Sequence, residues 1–266
     1  MVEVIFKNRS LLWQFTKRNI AQSNKGSFLG IIWTLVGPLL MFSVYAIVFG
    51  VIFNGRYGTL ENETSLDYAL GIFLSLTIFR FISECLNGAP NLIISQPNFV
   101  KKVVFPLEIL PIAFVGCAIW NFFVSALLVI LSISFFGNGF TFLSLWFLII
   151  LIPIILMAIG LSWLFAAVGV FFRDIAKIME SFTIVLMYSS AIFFSTEMIK
   201  VKASNFWFFL KFNPLIHFVE ESRKVLIWKL EPNLSYILYT YMFSLAVFFI
   251  GLFVFKNSKS AFADVL

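Results

Sequence analysis

Few side chains in this chain of 266 residues could do acid–base or metal chemistry. Its only histidine, His217, has no Asp or Cys near it in sequence, and its 13 acidic residues leave little for general acid–base work. Cys85 and Cys117 lie inside apolar stretches. They read as buried small hydrophobes, since two thiols make neither a disulfide framework nor a four-ligand zinc site. The pair that stands out is Arg80 with Glu84, both inside an apolar run. Their i,i+4 spacing puts them on one helix face, where they can pair. Charges are costly in such a setting and usually face a cavity or one another. The pair is therefore either a wall of a polar path or a self-satisfied structural pair at a subunit interface.

Charges are scarce because the chain is built for lipid. Hydrophobic residues make up 61%, charged residues 12%, and the mean hydropathy is +0.99. A soluble domain is nearer half apolar and a quarter charged. The net charge of +6 would suit nucleic acid in a soluble chain. In a membrane chain basic residues mark loops and lipid headgroups, so membrane lipids are expected partners and nucleic acid is not. Residues 1–25 carry Lys7, Arg9, Lys17, Arg18 and Lys25 and no apolar core, and do not read as a secretory leader.

The elements that must position Arg80 and Glu84 follow from length, since a spanning helix needs about 20 apolar residues. The fold class expected is an all-α integral membrane protein, one domain over 1–266. Six transmembrane helices are predicted, at 28–53, 68–94, 107–136, 142–171, 178–196 and 234–255. From Ile109 to Phe172 there is no charge at all, and the Gly137-Asn138-Gly139 cluster divides that stretch into two crossings. Basic residues of the N-terminus, of Lys101-Lys102, of Arg173 and Lys177, and of the tail (Lys256, Lys259) fall on one side. Both termini are therefore expected in the cytoplasm.

Segment 197–233 disagrees with that orientation, because it falls outside yet holds Lys200, Lys202, Lys211, Arg223, Lys224 and Lys229. The apolar run Phe206–Leu210 is too short to cross, and Asn213-Pro214 reads as an N-cap with proline at the first helical position. Glu220 lies three and four residues before Arg223 and Lys224, a spacing that supports a helix. The segment is expected to form short re-entrant helices, the alternative being a packed external hairpin. Ahead of the first span, residues 4–25 are expected to form an interfacial helix. Val4, Ile5, Leu11, Leu12, Trp13 and Phe15 share one broad face, and Lys7, Arg18 and Lys25 gather opposite. Trp13, Lys17 and Arg18 are its expected membrane-interface residues.

Five motifs in order carry a resemblance. They are Gly26-Ser27-Phe28-Leu29-Gly30-Ile31-Ile32-Trp33-Thr34 leading to Gly37-Pro38-Leu39-Leu40; Lys101-Lys102-Val103-Val104-Phe105-Pro106; Leu110-Pro111; Val170-Phe171-Phe172-Arg173-Asp174-Ile175; and Asn213-Pro214-Leu215 with Glu221 and Arg223 downstream. From about Leu12 to Asp264 the chain resembles the permease subunit of type-2 ABC exporters, in the branch that exports O-antigen, capsule and teichoic-acid polymers.

The resemblance implies a homodimer in the bacterial cytoplasmic (inner) membrane, working with two copies of a separate P-loop ATPase on a lipid-linked, undecaprenyl-type polysaccharide. This chain has no G-x-x-x-x-G-K-[ST] motif. No cofactor is expected on it, and ATP and Mg would sit on the partner. The resemblance also places a cytoplasmic coupling helix at 95–106, docking in the ATPase. Pro97 and Pro106 can bracket it, Lys101 and Lys102 supply charge, and Val103, Val104 and Phe105 an apolar knob. Arg173 and Asp174 are either a second ATPase contact or a local cap. Arg80 and Glu84, on the functional reading, touch sugar hydroxyls or the lipid-linked pyrophosphate. Tyr45, Phe49, Phe193 and Phe194 are candidates for an aromatic lining, since aromatic faces stack on sugar rings. An exporter of lipids or drug-like molecules would share the span count. A membrane-embedded acyltransferase would need a clustered His, Asp or Glu, which the lone His217 does not provide.

Overall fold

The computed structural model describes residues 7–23, 28, 30–101, 105–137 and 139–266, and their regular structure is entirely helical. The helices are α1 (Arg9–Ser23), α2 (Trp33–Tyr45, continued by a π-helical stretch Ala46–Ile52), α3 (Ser65–Gly88), α4 (Pro97–Lys101), α5 (Ile109–Phe136), α6 (Trp146–Phe171), α7 (Ile175–Ser189), α8 (Thr196–Lys202), α9 (Ser204–Leu210), α10 (Pro214–Arg223), α11 (Leu234–Ser258) and α12 (Phe262–Val265). Their starts follow local chemistry. The Thr64 hydroxyl accepts from the Asp67 backbone N–H while the Asp67 carboxylate accepts from the Thr64 N–H, a capping box that opens α3. Asn213 and Asn233 cap α10 and α11 through their side-chain oxygens, and Pro214 fills the first position of α10.

Apolar helices gain nothing from leaving lipid for one another, so close backbone packing has to hold them together. α6 and α11 run parallel and touch backbone to backbone at Gly160 and Gly251. A Cβ on Gly160 would stand 2.6 Å from the Phe248 Cα. A second tight approach sets Gly169 of α6 against Pro90, just beyond α3. Side chains gather in two clusters. At the terminal end Phe15, Ile93, Trp163, Phe255 and Phe262 pack together, joining the two ends of the sequence. The larger cluster reaches the far end, where Tyr57, Ile133, Phe147 and Trp228 are buried.

Five helical segments are long and apolar enough to span a membrane: Trp33–Ile52, Ser65–Asn91, Ile109–Phe136, Phe142–Phe171 and Leu234–Val265. The chain is an all-α integral membrane protein. The predicted span at 178–196 takes a different form, because α7 stops at Ser189. Its 15 residues rise about 22 Å, short of the ~30 Å hydrocarbon core. The rest of that pass, Ser190–Ser195, is irregular chain tied to the far end. The Tyr57 hydroxyl donates to the Ile192 carbonyl at 3.0 Å, and the Tyr68 hydroxyl to the Phe193 carbonyl at 2.9 Å. Predicted helix 4–25 is seen as Arg9–Ser23; residues 4–6, 24 and 25 lie outside the described residues.

Candidate functional site

α3 carries Thr77, Arg80, Glu84 and Asn87 at spacings of three and four, a polar stripe on one face of a span. α5 answers with Asn121 and Ser125, one turn apart. Together with Trp33, Thr34, Pro38, Met41 and Tyr45 of α2, these line a half-open cavity of about 600 Å3. Arg80 and Glu84 both line it, but their side chains do not make the close ion pair that their spacing allows. The Asn121 side-chain amide donates to Glu84 Oε1 at 3.1 Å instead, and among the described residues Arg80 makes no ion pair. The reason is geometric: spacing fixes the face of the helix, while the neighbouring helix decides which partner reaches the carboxylate. On the stripe's edge Asn87 reaches Thr183 of α7 at 3.4 Å.

Tyr45, on the cavity lining, begins a chain of rings. Its centroid lies 6.1 Å from that of Phe49, which lies 5.8 Å from Phe193. Phe53 and Tyr68 adjoin Phe49, and Tyr188 adjoins Phe193. The structure thus brings together Tyr45, Phe49 and Phe193. Phe194 stands apart with its ring half exposed, and takes part through its backbone carbonyl.

That carbonyl belongs to a buried polar knot that the sequence reading did not foresee. Arg223 is fully buried, pairs with Glu220 at 3.0 Å, and donates to the Ala191 carbonyl at 2.6 Å and the Phe194 carbonyl at 3.4 Å. Its guanidinium lies over the Tyr57 ring at 4.4 Å. Glu220 also accepts from the Thr196 hydroxyl at 2.8 Å. Ala191 holds a left-handed φ of 53°, strained for a residue with a Cβ. Burial pushes the Tyr57 hydroxyl up to about 12, with Arg223 pulling the other way. Lys224 pairs with Glu221 at 2.7 Å, and Lys200 with Glu197 at 2.6 Å. Three of the basic residues that violated the charge bias are therefore neutralised inside their own segment. The visible signal was a Glu-Glu-Ser-Arg-Lys block in a chain otherwise poor in charge.

The short α8 and α9 precede this knot. α9 exposes Phe206, Phe208 and Phe209, and Lys211 sits 4.6 Å from the Phe208 ring.

At the terminal end, the helix expected at 95–106 is seen as α4, which starts at Pro97 and ends at Lys101. Lys101 is exposed, whereas Lys102, Val103 and Val104 lie outside the described residues. Phe105 turns inward, its ring 5.2 Å from Phe15 of α1 and 4.7 Å from Phe99. Pro106 follows, half-buried. Arg18 bonds Gln96 at 3.2 Å and lies over the Phe15 ring at 4.3 Å, so it braces α1 on the α4 region. Trp13 and Lys17 remain exposed beside each other, the ammonium 5.1 Å from the indole. Lys259, just past α11, pairs with Glu108 at the start of α5 at 2.9 Å. Arg173 and Asp174 are exposed at the head of α7, and the Asp174 side chain makes no capping bond there.

Apolar spans with a half-open cavity that holds Arg80, Glu84, Asn87 and Asn121 make an integral membrane protein with a polar stripe at membrane depth. The chain belongs to the ABC-2 type transporter family, which matches residues 10–227. The O-antigen export system permease protein RfbA of Myxococcus xanthus is 21% identical over 264 residues, 99% of this chain and 98% of that protein. A Klebsiella pneumoniae protein of the same name is 24% identical over 257 residues, 96% of this chain and 95% of its own length. The polysialic acid transport protein KpsM of Escherichia coli is 25% identical over 238 residues, 88% of this chain and 87% of that protein.

Proposed function

We propose that this chain is the permease subunit of an ATP-driven exporter of a lipid-linked polysaccharide of the O-antigen, capsule or teichoic-acid type. The observation that carries the reading is the end-to-end similarity to permeases of O-antigen and polysialic acid systems. In this reading both termini face the cytoplasm of a bacterial inner membrane, and a separate P-loop ATPase, in two copies, binds ATP and Mg at the terminal end. Its docking surface is α4 with the exposed Lys101, Lys102 following in sequence, flanked by the exposed Arg173 and Asp174. Force on α4 passes inward through Phe105 and Phe99 to Phe15, and so to α1.

The permease works as a homodimer joined through α2 and α7, whose apolar faces stand open. Leu39 and Ile47 on α2, and Phe182 and Val185 on α7, are all more than 40% exposed. The polymer then passes between two copies, along Arg80, Glu84, Tyr45, Phe49, Phe193 and Phe194, while α8 and α9 re-enter the outer leaflet.

Reconstitution tests this reading. The permease with its ATPase, in vesicles supplied with undecaprenyl-linked polysaccharide, should move polymer across the bilayer only when both subunits and ATP are present. ATPase stimulation by a drug-like amphiphile and not by the polymer would favour the small-molecule exporter instead.

A further inference from the structure

We propose that the segment Lys259–Leu266, beyond α11, is a clamp that positions α4 and ties its movement to α6 and α11. The inference deepens the export reading and rests on it only for the motor at the terminal end. α11 ends at Ser258, and a tight turn over Lys259–Ala261 leads into α12. That turn delivers Phe262 into the terminal cluster, where none of it is exposed. Its ring lies 5.6 Å from Phe255 of α11 and 6.0 Å from Phe171 at the end of α6. Phe99 and Val100 of α4 and Leu266 pack on the same cluster, and α12 touches α4 directly. α4 is therefore seated on α12 as well as on α1. A tail that served only as positive charge at the membrane surface would have no use for a fully buried phenylalanine.

The same segment holds the entry to α5. Lys259 Nζ donates to both carboxylate oxygens of Glu108, at 2.9 and 3.0 Å. The Glu108 carbonyl accepts from the indole N–H of Trp163 in α6 at 3.2 Å. Glu108 is where the chain that leaves α4 enters α5. The stretch from α4 to α5 is thus gripped twice, at α4 by Phe262 and at Glu108 by Lys259 and Trp163. Both grips lead to one pair of helices. α6 and α11 touch backbone to backbone at Gly160 and Gly251, so neither slides without opening that contact. A push on α4 must move this pair or break the clamp, because packed interfaces are not continuously deformable. The route through Phe15 ends on α1 ahead of the first span; the route through α12 reaches the spans themselves.

Hydrogen exchange of the full-length permease in detergent micelles, followed by mass spectrometry, tests the seat of α4. Phe262→Ala, or deletion of 259–266, should speed exchange of the amides in 97–101 by about tenfold or more. Exchange in α6 and α11 around Gly160 and Gly251 should stay near the wild-type rate. Phe262→Leu, which refills the site, should remain within about threefold of the wild type. Lys259→Glu should speed exchange at the start of α5, and adding Glu108→Lys to the same chain should restore it. Unchanged exchange at 97–101 in the deletion would overturn the clamp. Exchange raised equally around Gly160 and Gly251 would also overturn it, since that marks a general loss of packing. Transmission is read with the ATPase in vesicles. Polymer exported per ATP hydrolysed should fall by about threefold or more in Phe262→Ala, with the two subunits still co-purifying; an unchanged ratio would overturn transmission through α12. No polymer export by the wild type, with exchange at α4 still set by Phe262, would sink the export reading alone.

Discussion

Replacing Arg223 by methionine tests what holds the far end together. The substitution keeps much of the side-chain volume and removes every polar contact. Glu220, with only 6% of its side chain exposed, is left with the Thr196 hydroxyl as its remaining partner. Stranding one member of a buried ion pair costs about 3–5 kcal/mol. The Ala191 and Phe194 carbonyls also lose their donor, at about 1–3 kcal/mol for each buried group left unmet. These terms share one guanidinium and do not simply add, so about 4–6 kcal/mol is expected. In detergent that should lower the apparent melting temperature, followed by fluorescence-detected size exclusion, by roughly 10–20 °C. Arg223→Met with Glu220→Met should recover about half of the loss, because the carboxylate is gone while the carbonyls stay unsatisfied. Ala191, without its hydrogen bond, should leave its left-handed conformation. A single variant melting within about 4 °C of the wild type would refute the idea that this guanidinium holds the turn.

Three further outcomes are expected. Gly160→Leu would force apart backbones already in contact, at about 3 kcal/mol or more, and should abolish a stable monodisperse peak; an unchanged peak would place the α6–α11 crossing elsewhere. Burial holds the His217 imidazole below its ordinary range, against a hydrogen bond to the Lys211 carbonyl and with Glu220, Lys224 and Lys200 nearby. Its neutral form is the one the fold favours, so stability should fall as pH drops below about 6.5, and a flat profile identical in His217→Phe would contradict this. Phe105→Asp should loosen α4 from α1 and cut co-purification with the ATPase while leaving membrane insertion intact, whereas Phe105→Leu should keep both.

Five of the six expected spans coincide with helices long and apolar enough to cross, because apolar length alone sets them, whereas 178–196 does not; capping at Asn213-Pro214 was readable from two residues. Partner choice was not legible. Arg80 and Glu84 share a face, as their spacing demands, yet Asn121 of α5 takes the carboxylate, and no local rule places α5 against α3. The Glu220–Arg223 contact was visible as a spacing, but its burial was not. Its burial comes from Tyr57, far away in sequence, and from Trp228, five residues beyond Arg223, whose rings both lie against the guanidinium. α7 ended early because Ser190–Ser195 makes its bonds to Tyr57 and Tyr68 rather than to another helical turn.

The cluster around α4 also bears on biosynthesis. Its five residues are too few to form a stable helix alone. Phe15, supplied early in translation, and Phe262, supplied nearly the whole sequence later, belong to the same packed group, and α12 touches α4 directly. A ribosome-bound chain that has made α1 to α6 therefore has α4 beside Phe15 of α1 but still lacks Phe255 and Phe262 of the same group. Were a motor subunit to dock on α4, as proposed, its seat would gain its last packing residues only once the end of the chain is made.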